Sequence, residues 1–128
     1  MFTTLEFWVW VATALLFIMF GMAGVMKTFM PISRLAGMWP WAGEMSPATV
    51  RFIGIAEIAG PLGLVLPVLT GILPWLTPLA AIGLAIIQVL AIGVHARRGE
   101  TAKTLWLNIV LLALALFVAW ARRGLIGL

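Results

Sequence analysis

The sequence predicts an all-α membrane protein: a transmembrane four-helix bundle, up-down-up-down, with a long interfacial loop between helices 1 and 2. Three observations lead there. The 128 residues are 64% hydrophobic and only 9% charged, whereas a soluble domain needs roughly 25% charged residues to cover its outer face. The apolar residues gather into four runs of about 20, enough for a helix to cross a hydrocarbon core of about 30 Å with every backbone hydrogen bond made internally. The basic residues fall between these runs. That placement fits membrane topology and argues against nucleic acid as a partner, despite a formal charge of +4.

Residues 1–128 read as one transmembrane domain with helices at about 4–29, 47–67, 75–97 and 101–122. The first opens on Thr3-Thr4-Leu5-Glu6, a capping box, and should stop near Pro31. It lacks a basic leader, so it reads as a retained span and not a cleaved signal. Ser46-Pro47 opens the second, with serine as N-cap and proline at the first helical position, and Pro67 should close it. Thr77-Pro78 repeats that start signal for the third, which ends at Arg97-Arg98 with Gly99 as C-terminal cap. The fourth runs from Thr101 to Arg122-Arg123.

Lysine and arginine set the orientation. Lys27, Arg34 and Arg51 flank the first connection and Arg97, Arg98 and Lys103 the third, against Arg122 and Arg123 on the opposite side. The excess places connections one and three in the cytoplasm and both termini outside, in a cell (inner) membrane. Trp8, Trp10, Trp75 and Trp120 then belong to one interface, and Trp39, Trp41 and Trp106 to the other. Residues 28–45 read as a loop lying on the headgroups, as an anchor or as a lid over the bundle mouth. Small residues four apart, such as Ala56 with Gly60 and Ala81 with Ala85, let helices approach within the chain or between copies.

The polar residues inside the spans are few. Glu57 sits six residues beyond Arg51, about 9 Å deeper along a helix, where a charge costs about 2.5–3.5 kcal/mol at the span centre unless it is paired. Pro61 has no N–H, so the carbonyl of Glu57 loses its usual helical partner and the turn should open. Lys27, near the end of an antiparallel first helix, is the first choice of partner, with Arg51 helping to hold the carboxylate charged. Gln88, His95 and Asn108 lie in the same half of the other two helices. All six polar groups are candidates for one ligand-binding or proton-handling site at the cytoplasmic end, or for a structural lock with no further role.

With no cysteine and one histidine, the chain can supply neither a thiolate-held metal or cluster nor bis-histidine haem. No metal or intrinsic cofactor is expected. Haem on His95 and a methionine is the one formal exception, and proton transfer at His95 a further option.

Phe20-Gly21-Met22-Ala23-Gly24-Val25-Met26-Lys27, the run Arg51-Phe52-Ile53-Gly54-Ile55-Ala56-Glu57-Ile58-Ala59-Gly60-Pro61-Leu62-Gly63, and Gly93-Val94-His95-Ala96-Arg97-Arg98-Gly99-Glu100 resemble the DoxX-like family of small four-helix membrane proteins. The resemblance implies that Lys27, Arg51, Glu57 and His95 occupy the motif positions, and links the chain to membrane redox or thiol-stress systems. The expected function is therefore binding of a lipophilic small molecule, with quinone as candidate, beside a partner oxidoreductase and membrane lipid. The alternatives are an oligomeric carrier or exporter of small hydrophobic compounds, which needs a homo-oligomer because four helices are few for alternating access, and a structural subunit without activity.

Overall fold

A computed structural model describes residues 3–99 and 102–128, with the side chains of 102–104 left aside. Thr101, the expected start of the last span, Glu100 of the third motif and the side chain of Lys103 lie outside the described residues. All regular structure among the described residues is helical: α1 Thr4–Phe29, α2 Ile32–Met38, α3 Pro40–Glu44, α4 Pro47–Thr70, α5 Leu76–Arg97, α6 Ala102–Ala121 and a 3-10 turn Arg123–Ile126. By length and composition α1, α4 and α5 can each cross a membrane, and 105–121 of α6 form a shorter apolar helix.

The caps explain most boundaries. The Thr3 hydroxyl accepts from the Glu6 amide at 3.0 Å, and the Ser46 hydroxyl accepts from Thr49 at 3.2 Å, with Pro47 starting α4. Gly99 takes φ +67° after α5, a left-handed conformation that costs glycine least.

Three expectations are corrected. Pro67 does not end the second long helix. α4 runs unbroken through Pro61 and Pro67 to Gly71, whose φ is +72° and whose amide donates to Pro67. One missing N–H costs less than ending the helix where lipid offers the freed backbone groups no partners. Thr77 is not a cap either: it sits in the first turn of α5 and its hydroxyl donates to the Gly63 carbonyl at 2.8 Å, tying α5 to α4. The connection after α1 holds two short helices in place of a loop. Leu35 and Ala42 from these helices are buried with Val50, so α2 and α3 pack down on the fold.

α1 lies against α4 and α6, and α5 lies against the same two. Their shared core holds Leu16, Phe20, Leu64, Leu84, Leu111 and Val118. Ala81, Ala85 and Ala115 are buried there too, so these small residues serve close packing within the chain. The outer faces remain apolar, with Ile18, Ile55, Leu69, Leu90 and Ile109 exposed. Apolar surface outside as well as inside is the pattern of helices solvated by lipid.

Candidate functional site

A close approach of α1 and α4 builds the polar site. A Cβ added at Gly24 would lie 2.8 Å from the Gly54 carbonyl oxygen and 3.0 Å from the Glu57 carbonyl carbon; one added at Gly54 would lie 2.6 Å from the Thr28 hydroxyl and 2.9 Å from the Gly24 carbonyl oxygen. Only two glycines facing each other allow α1 and α4 that close. The sequence carries the signal twice, because Gly24-x-x-Lys27 and Gly54-x-x-Glu57 place a glycine three residues before each charge. With the backbones in contact, the two side chains one turn on can meet.

They do meet. Lys27 Nζ donates to Glu57 Oε1 at 2.6 Å, and the side chains are 11% and 3% exposed. The ammonium also lies 5.2 Å from the ring centres of both Trp39 and Trp41, which stack at 6.4 Å. Trp39 joins α2 to α3, and Trp41 lies within α3. Sequence reasoning assigned them to an interfacial belt and missed their contact with the lysine; the signal available was two tryptophans flanking one proline, a spacing that presents both rings together. Glu44, ending α3, pairs with Arg98 just after α5, so this segment is tied across the end of the fold.

Arg51 does not hold the carboxylate, as the sequence suggested it would. Its Nη1 donates to the carbonyls of Lys27 at 2.9 Å and Met30 at 2.6 Å. The last carbonyls of a helix lack internal partners, and those of α1 lie nearer to Arg51 than a carboxylate six residues along its own helix. Arg51 therefore positions the turn bearing Lys27.

Gln88 is buried at 4% exposure. Gly60 faces Leu84 and Gly63 faces Ala80, so α4 and α5 run antiparallel, and one further turn brings Gln88 to the level of Glu57. Its Oε1 is buried without a hydrogen-bond partner. His95 is buried, Asn108 is half-buried, and each is engaged in an interaction of its own. Lys27 and Glu57 bond to each other. The six residues thus include one ion pair, one arginine brace and the further polar groups Gln88, His95 and Asn108. Two shallow, open depressions lie elsewhere, about 570 Å³ along the α4–α5 seam and about 260 Å³ beside Arg122 at the opposite end. None of the six lines either.

A set of long lipid-facing helices closed around one buried ion pair defines a helical membrane protein. The chain belongs to the DoxX-like family, whose model matches residues 11–118, a stretch that includes Lys27, Arg51, Glu57, Gln88, His95 and Asn108. No curated protein and no solved structure matches the chain.

Proposed function

We propose that the chain is a four-span, up-down-up-down bundle of the inner membrane, with both termini outside the cytoplasm and α2 and α3 at the cytoplasmic interface. It binds a lipophilic small molecule, with quinone as candidate, as the membrane component of a redox or detoxification system. The observation that supports this reading is the Lys27–Glu57 pair, a charged couple buried inside apolar helices where packing alone would be served by two apolar side chains. Lys27 and Glu57 present polar atoms to the ligand head, Arg51 steadies the turn that bears Lys27, and Gln88, His95 and Asn108 line the same half of the bundle.

The test is binding of a labelled quinone to the protein in lipid nanodiscs. Glu57→Gln keeps the shape and removes the charge, and should weaken binding about tenfold or more, since hydrogen bonds to charged groups contribute about 1.5–3 kcal/mol. Equal binding by both proteins would remove the idea. A second reading, a structural subunit, is favoured by one observation: the lysine already finds its partners within the chain, in Glu57 and two indoles. On that reading Glu57→Gln lowers stability and leaves the function of the surrounding complex intact.

A further inference from the structure

The segment between α1 and α4 is built differently from the spans it joins. α1 and α4 each begin on a side-chain cap, Thr3 and Ser46, whereas α2 and α3, of seven and five residues, have none. Helices so short are not stable on their own. The two lie against each other more than against any span, so a few side chains attach them to the rest of the fold. Leu35 and Ala42 rest on Val50, among the adaptable side chains of Met26, Met30 and Met45. At the far end Glu44 pairs with Arg98. The Glu44 side chain is 67% exposed, and an ion pair so open to water is a weak fastening.

What this segment covers is the buried pair. Phe29 ends α1 just past Lys27, so the ammonium stands near the end of its helix, and the two indoles close over it with their ring centres 5.2 Å away. A lysine ammonium carries three N–H donors. Glu57 Oε1 accepts one of them, while a ring face attracts a cation without offering a lone pair in the plane of a hydrogen bond. A ligand oxygen would accept where the indoles only attract. The indoles are therefore a substitute that a better acceptor can displace.

We infer that α2 and α3 form a lid over the Lys27–Glu57 site, that Trp39 and Trp41 hold on the ammonium the place a ligand head takes, and that Glu44–Arg98 is the latch. The inference deepens the proposed function and rests on it for the ligand. It narrows the head to a flat ring with an acceptor oxygen at its edge, as a quinone has, entering from the headgroup side when the lid swings away. A flat ring suits the space that two stacked indoles vacate. Lys27 then has its partners within the chain while the lid is shut and in the ligand while it is open.

The chain has no cysteine, so an introduced thiol reports on its own site. The full chain in nanodiscs carries it at Val50, on α4 beneath the lid, or at Ala115, in the shared core; both residues are 0% exposed. With a water-soluble maleimide, Glu44→Gln should speed labelling of Val50→Cys about twofold to fivefold, the share of an exposed ion pair, and leave Ala115→Cys unreactive. An unchanged Val50→Cys rate overturns the latch. The second measurement is binding of a decyl-tailed benzoquinone. A cleavable bismaleimide joining Glu44→Cys to Arg98→Cys should abolish binding while intact and restore it once cut. Trp39→Leu with Trp41→Leu should tighten binding about fivefold, because a desolvated cation–ring contact no longer has to be displaced. A decyl-tailed benzene, which has no acceptor, should not bind; binding equal to the quinone's overturns the acceptor head. Full binding with the lid locked, or weaker binding without the indoles while helicity is kept, overturns the lid and leaves the proposed function standing if binding still depends on Glu57. If no variant binds the quinone, the proposed function falls, and the labelling rates still decide the lid by themselves.

Discussion

Two ion pairs at opposite ends of the helices use almost the same parts. At one end Lys27 meets Glu57 at 2.6 Å beside Trp39 and Trp41. At the other Arg122 meets Glu6 at 2.7 Å, with its guanidinium 5.3 Å from the ring centre of Trp10. The bases are equally covered, each side chain 11% exposed, and the difference lies in the acids: 3% exposed for Glu57 and 34% for Glu6. Water can compensate Glu6 if its partner is lost, and the first turn of α1, where it sits, favours an acid in any case. Glu57 has no such recourse. Identical chemistry therefore does different work at the two ends: one pair fastens an edge, while the other holds a charge that the apolar interior tolerates only in company.

Breaking one side of the buried pair is the sharpest way to test that difference. Lys27→Met leaves Glu57 buried and uncompensated and should cost about 3–5 kcal/mol, measured as the shift in unfolding in mild detergent. The double variant Lys27→Met with Glu57→Leu should recover most of the loss, because a buried pair replaced by apolar groups is often neutral or better. If the double variant is as unstable as the single one, the charge itself is not what the site compensates.

The next effect concerns the contact that lets the pair form. Gly24→Ala places a methyl group 2.8 Å from the Gly54 carbonyl oxygen, a backbone atom that cannot rotate away, and should cost about 1–3 kcal/mol as overpacking does. Gly83→Ala, where nothing lies within 4 Å, should be neutral in the same assay. Smaller again is the indole contribution. Trp39→Ala or Trp41→Ala should each cost about 1–2 kcal/mol, near the upper range for a desolvated cation over a ring, whereas Trp10→Ala should cost less because its arginine serves the more hydrated pair.

The polar core was legible because its cost is legible: an acid such as Glu57 within an apolar run must find a cation, and depth nominated Lys27. The pairing needed only helix periodicity and the antiparallel path of α1 and α4. Arg51 was misread because distance along one helix says nothing about the carbonyls another helix brings near. Proline signals failed at Pro67 and Thr77-Pro78 because they were calibrated on water, which rescues broken backbone, while lipid and close helix packing shift the balance toward continuation. Trp39 and Trp41 were placed at an interface by residue type alone. Their contact with Lys27 depends on α2 and α3 folding back, a tertiary event with no local periodicity to announce it.

The smallest predicted effect separates the two ends by salt. Glu6→Gln keeps the volume of the side chain and removes its charge, so Arg122 loses its acid at a partly hydrated edge. The cost should be about 0.5–1 kcal/mol at low salt, the range of exposed pairs and of an acid in the first turn of a helix. In 1 M salt the screening length falls to about 3 Å, and wild type and Glu6→Gln should converge in stability. Lys27→Met should keep its full penalty at both salt concentrations, since ions screen a buried charge far less. A salt-insensitive Glu6→Gln deficit of several kcal/mol would mean that the outer pair is as desolvated as the inner one, and that the contrast between 34% and 3% exposure of the two acids does not govern their energetics.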